Sequence, residues 1–153
     1  MVTRNDAIEF ARRTKKNLQH IEMSLQNGDD VHLGTQLTLS LLGLVVFLRE
    51  KNFARHINHL KMKDLIQNGW PKWEESITLS NTLGQLTRHL RNAVAHGHLT
   101  FSSDSRDIRD VTITVEDFEK SEDTKPCWTA QIQATDLRTF CFLFLERVEE
   151  SIG

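Results

Sequence analysis

Within ten residues the chain places Leu39, Leu41, Leu42, Leu44, Val45, Val46, Phe47 and Leu48, interrupted only by Ser40 and Gly43. Wound at 100° per residue, these side chains cover nearly the whole circumference of a helix, which predicts a helix over residues 33–52 that is buried on several sides. In a chain of 153 residues, long enough for one core, such a helix is either the centre of a bundle or an element that also meets a second subunit. The apolar run is far below the roughly 20 residues needed to span a bilayer, and the first ten residues lack the apolar stretch of a signal peptide, so no membrane association is expected. Hydrophobic residues make up 39% and charged residues 26% of the chain, a composition that excludes fibrous and wholly disordered classes. The formal charge of −2 names no partner, since a small total can conceal local patches of either sign.

Around that helix the periodicity predicts further elements. Ala7, Ile8, Ala11, Leu18, Ile21 and Leu25 recur at helical spacing over residues 5–26, with Asn27-Gly28 as the stop. Residues 53–76 read as irregular, with one short helix at about 59–67 and turn chemistry at 68–73 around Trp70 and Trp73, two expected packing plugs. A third strong helix is expected to follow Thr78 or Ser80, with Leu79, Leu83, Leu86, Leu90, Ala93 and Val94 as its core stripe and Gly97 as its stop. The period then changes to two: Leu99 and Phe101, then Val111, Ile113 and Val115, then Trp128, Ala130, Ile132 and Ala134, which predicts short antiparallel strands. A final helix starts at Thr135-Asp136 and carries Leu137, Phe140, Phe144, Leu145 and Val148. The expected fold is α+β and mainly α: a single domain over residues 1–153, a bundle of four to five helices with a small antiparallel sheet inserted at about 98–134, before the last helix.

Chemistry concentrates at the end of the third helix, where Arg88, His89, Arg91, Asn92, His96 and His98 lie within eleven residues. Arg88, Asn92 and His96 share one helical face while Leu86, Leu90 and Ala93 face the core, and Arg91 flanks the polar face. A guanidinium fork beside an imidazole suits a phosphodiester, because the fork binds two phosphate oxygens while the imidazole moves protons near neutral pH. In RNA the 2′-hydroxyl supplies the nucleophile, so the reaction needs no metal and no cofactor is expected. The expected position of His96 at a helix C-terminus favours a cation there. Spacing alone is weak: with eleven arginines and seven histidines, an Arg-x4-His match is expected by chance about 0.5 times. The competing reading makes Arg91 and Asn92 surface residues and His96 a helix cap.

The run Leu90-Arg91-Asn92-Ala93-Val94-Ala95-His96-Gly97 resembles the signature of the HEPN superfamily, four- or five-helix bundles with an Arg-x4-6-His motif in which the residue after Arg is commonly Asn, Asp or His. The order and length of the expected helices resemble that superfamily too, and the strands after the motif resemble a bacterial and plasmid-borne branch of it. The resemblance implies a metal-independent endoribonuclease, a toxin or defence effector whose motifs meet at a homodimer interface. Arg91 and His96 would be its catalytic pair and Asn92 the adjoining polar residue. An antitoxin or regulatory protein would be a further partner. The alternative is a non-catalytic module that binds nucleotide or RNA and acts through partner interaction. In toxins of this superfamily paired with a nucleotidyltransferase, the motif continues as His-x-Tyr and the tyrosine is modified. Here that position is His98, and the chain contains no tyrosine.

Other candidates are subsidiary. Arg88 and His98 beside the motif, and Arg55 from a basic stretch with Arg49, Lys51, Lys61 and Lys63, are expected to hold RNA phosphates. His56 and His59 lack the further ligands a metal site needs, and no metal is expected. Glu116, Asp117, Glu119, Glu122 and Asp123 read as a solubilising acidic group. Cys127 and Cys141 form neither a CxxC pair nor a disulfide framework, so a reducing, cytoplasmic compartment is expected.

Overall fold

In the computed structural model, which describes residues 4–50, 53–120 and 122–152, the apolar helix is α2, Leu33–Glu50. It packs against α1 (Arg4–Gln26), α4 (Leu83–Ala95) and α5 (Ala134–Ile152), and α1 also packs on α5. Leu37, Leu41, Leu44 and Leu48 are fully buried, and Leu33, Leu42 and Val45 nearly so. Leu39 is the exception, with 62% of its surface exposed. The apolar circumference is therefore buried within the chain on most sides, with one stripe left open. The short α3 (Met62–Gln67) and a 3-10 turn at Phe53–His56 lie between α2 and the first strand. No helix among the described residues is long and apolar enough to cross a membrane.

A four-stranded sheet completes the α+β fold. Its strands are β1 (Glu74–Ser76), β2 (Leu99–Phe101), β3 (Thr112–Asp117) and β4 (Trp128–Gln133), in the order β1-β4-β3-β2 with all neighbours antiparallel. The central pair is registered Ile113↔Ile132, Val115↔Ala130 and Asp117↔Trp128. One face is apolar by simple alternation. Val111, Ile113 and Val115 with Trp128, Ala130 and Ile132 are buried, as β3 packs on α4 and β4 on α5.

Several boundaries differ from the sequence expectation. The short helix begins at Met62 rather than near His59, and Asn52, the expected end of the second helix, lies outside the described residues. β1 comes from the segment before α4, read above as irregular, so the sheet draws on both sides of that helix. The third helix begins at Leu83, and Leu79, expected in its core stripe, is 68% exposed. The last helix starts at Ala134, directly after β4. Trp70 and Trp73 do act as plugs, each meeting the Phe140 ring edge-on at 5.3 and 5.6 Å.

Candidate active site

The start of α4 is tied down by the chain around it. Thr82 is the N-cap, its side chain accepting from the Gln85 amide, while the Gln85 side-chain oxygen accepts from the Asn81 amide, a reciprocal capping arrangement. The next two orphan amides, of Leu83 and Gly84, donate to the carbonyls of Leu60 and Asn58. A β-carbon at Gly84 would meet the Asn58 carbonyl oxygen at 2.9 Å, so only glycine permits this approach. Ser80 stays outside the helix, its amide and hydroxyl both donating to the Glu75 carboxylate, at 3.0 and 2.6 Å.

The other end of α4 carries the motif. His96 is the C-cap. Gly97 follows at φ +71°, its amide donating to the Val94 carbonyl at 3.0 Å and the His98 amide to Ala93 at 2.8 Å. This pair of bonds is a Schellman closure, which requires a residue in the left-handed region and so selects glycine. The closure turns the chain into β2 and brings the His98 ring to 6.1 Å from the His96 ring, between centroids. The Phe118 ring, just beyond β3, contacts His98 edge-on at 4.5 Å. His96 is exposed, whereas Arg91, Asn92 and His98 are half-buried.

Below this edge lies a buried polar chain. Arg91 donates from Nη1 to Asn92 Oδ1 at 3.2 Å, and Asn92 Nδ2 donates to Asp117 Oδ2 at 3.2 Å. The same oxygen meets His89 Nδ1 at 2.8 Å. A carboxylate can only accept, so the imidazole hydrogen sits on Nδ1. The His89 ring stacks on Trp128 at 4.7 Å and 7°, and Trp128 Nε1 donates to Glu75 at 2.6 Å. His89 and Asp117 are about 95% buried. Asp117 thus departs from the solubilising role expected of it. Asp117 was not expected in the site and His89, though within the motif segment, was given no role there, yet both positions carry a signal. Asp117 continues the inward register of Val111, Ile113 and Val115, and His89 sits three residues after Leu86 on the core face of α4.

The remaining expected residues divide. Arg88 is exposed one turn before Asn92. Arg55 is not brought to the motif. It belongs to the 3-10 turn that packs on α2 and α5, beyond the C-terminal end of α2. The motif lies by the N-terminal end, where Thr35, Thr38 and Leu39 share a groove with Val94, Gly97 and Leu99. At 1.5 Å per residue α2 separates the two by roughly 20 Å. Of the basic stretch, Lys51 and the Arg49 side chain lie outside the described residues. Arg55 Nε instead contacts the His56 ring at 3.4 Å. Among the described residues no group of three or more His, Cys, Asp or Glu is placed to hold a metal ion.

The arrangement offers a guanidinium and two imidazoles at a helix end, with the asparagine between them anchored to a buried carboxylate. Such a set can bind an anionic phosphate and move a proton. A family model described as HEPN pEK499 p136 matches residues 1–152. No curated protein and no solved structure gives a significant match.

Proposed function

Because the chain belongs to the HEPN pEK499 p136 family, a membership that supports a nucleotide-binding or ribonuclease-type module, we propose that it is a homodimeric endoribonuclease. The observation that carries this reading is the edge at the end of α4: Arg91 and Asn92 half-buried and hydrogen-bonded to each other, with exposed His96 at the cap. In the proposed reaction the ribose 2′-hydroxyl loses its proton to one imidazole and attacks the adjacent phosphorus. The 5′-oxygen leaves as it takes a proton from a second imidazole, and the product strand ends in a 2′,3′-cyclic phosphate. Arg91 binds the non-bridging oxygens, whose charge grows in the transition state. His96 is one proton-transfer group and His96 of the partner subunit the other. Arg88 and His98 bind flanking phosphates.

The homodimer is supported by an open apolar strip beside the motif. Leu39 borders two grooves, of about 250 and 590 Å³. One runs past Val94, Gly97, Leu99 and Phe101; the other passes Phe10, Gly43 and Phe47, with polar residues such as Glu9, Arg13, Asn17 and Gln36 along it, and its two phenylalanine rings stack at 4.7 Å. A twofold contact through this strip sets the two motifs near one another. A role as a toxin or defence effector, held in check by an antitoxin or regulatory protein in the cytoplasm, follows from the same reading.

The test is cleavage of single-stranded RNA by the purified protein, with 2′-O-methyl RNA as the uncleavable control. Arg91→Ala and His96→Ala should each lower the rate by about 10² to 10⁴-fold. Wild-type protein that binds nucleotide or RNA saturably without turnover would support a binding module instead. A double variant that cuts as well as wild type would sink the catalytic assignment.

A further inference from the structure

We infer that Asp117 is a positioning residue: it fixes the rotation of the Asn92 amide and, through it, the placement of the Arg91 guanidinium. Donors and acceptors alternate along the chain. Asp117 can only accept, so Asn92 must turn its Nδ2 toward it, as the 3.2 Å contact records. That rotation leaves Oδ1 facing Arg91, and a guanidinium can only donate. Each link therefore dictates the next, and reversing the amide would place donor against donor and acceptor against acceptor.

Asp117 itself has little freedom. Its Oδ2 also accepts from His89, which is clamped flat against Trp128, and Trp128 is held by the Glu75 carboxylate. On the backbone side the Asp117 carbonyl accepts from the Cys127 amide at 2.8 Å and from Cys127 Sγ at 3.3 Å. The carboxylate stands at the end of β3, paired with Trp128 across the sheet. The sheet thus has a part in the site: it delivers a fixed acceptor to the inner side of the motif helix, and the motif side chains are aimed from behind.

This inference rests on the proposed role of Arg91 in holding an RNA phosphate. The experiment is an exchange of partners. Asn92→Asp sets two carboxylates against each other and should weaken both cleavage of RNA and binding of 2′-O-methyl RNA by about tenfold or more. Adding Asp117→Asn to that variant rebuilds the chain in reverse: with the amide nitrogen at 117 in the place of Oδ2, one of its hydrogens goes to the carboxylate at 92 and the other to His89 Nδ1, the imidazole hydrogen moving to Nε2, while Arg91 donates to the carboxylate at 92. The double variant should recover to within about threefold of wild type in both measurements. Recovery of melting temperature without recovery of binding and cleavage overturns the positioning role and leaves a structural one. An Asn92→Asp variant that binds and cuts like wild type also overturns it.

If Asn92→Asp does not fold, Asp117→Leu is compared in the wild-type and Asn92→Ala backgrounds. It should be strongly deleterious in the first and nearly silent in the second, and equal losses in both contradict the inference. Binding to 2′-O-methyl RNA keeps the two readings apart. A wild type that binds but does not cut ends the ribonuclease reading, while the exchange still judges Asp117 on affinity. One that neither binds nor cuts ends both.

Discussion

Two histidines seven residues apart on α4 should respond oppositely to truncation. His96 is exposed at the C-cap, so His96→Ala should shift the melting temperature little while abolishing most of the proposed cleavage. His89 is buried against Trp128 and donates to Asp117. His89→Ala leaves a cavity and a buried carboxylate short of a donor, and should cost about 3 kcal/mol by chemical denaturation. The two cysteines are separable as well. Burial pushes the Cys141 thiol up to about 12, so at pH 8 its thiolate fraction is on the order of one in ten thousand, and the folded chain shields it further. Burial, reinforced by the Asp117 charge, also raises Cys127, but that residue is only half-buried. A thiol reagent should therefore label Cys127 slowly in the native protein and Cys141 only on unfolding, with equal rates as the contrary result. The half of the candidate site that is visible in sequence is the half that follows helical spacing: Arg91, Asn92 and His96. The other half, Asp117, lies 25 residues away from Asn92, and only the strand register makes its inward direction readable.

At the level of elements, α4 is set by its two ends, and both tests there are backbone tests. Gly97 sits at φ +71° within the Schellman closure, so Gly97→Ala should destabilise by about 1 kcal/mol and disturb the path into β2. Ile77 holds φ +75° between β1 and the helix cap, a conformation that β-branched residues rarely adopt. Its side chain is 69% exposed and little burial is lost on truncation. Ile77→Gly should then stabilise by up to about 1 kcal/mol, since relief of strain outweighs the added chain freedom. Denaturant midpoints with unchanged slopes check both signs. The same segment shows why the fold was only partly legible. Glu74-Glu75-Ser76 has no apolar alternation, and its pairing with β4 depends on a distant partner rather than a local pattern. Leu79 matched the helical stripe by spacing, yet the Glu75 bonds to Ser80 and the bridge between Lys61 and Thr82 hold the chain out of the helix until Leu83. By contrast α1, α2, α5 and the β3 and β4 strands are carried by dense local periodicity, and they appear where the spacing places them.

On the scale of the whole molecule, the apolar circumference that first constrained α2 has one exposed member, and its position matters. Leu39 is 62% exposed where the two grooves meet, one of which ends at Gly97 beside His96. Leu79 is equally open at 68% but lines a separate cleft with Ile66, Trp73 and Ser80. The two leucines make a matched pair for testing the proposed dimer. Because neither contributes much burial within the chain, a charge at either should leave the folded protomer intact. Leu39→Asp would place like charges against each other across the proposed twofold contact and should convert the proposed dimer to monomer, measured by sedimentation. Its cleavage should fall with the dimer fraction and recover with protein concentration, because one chain supplies only one His96 to a reaction that needs an acid and a base. Leu79→Asp should remain dimeric and active. A Leu39→Asp monomer that cuts at the wild-type rate would place both proton-transfer groups in one chain, and the His98 ring, 6.1 Å from His96, would then be the group to mutate next.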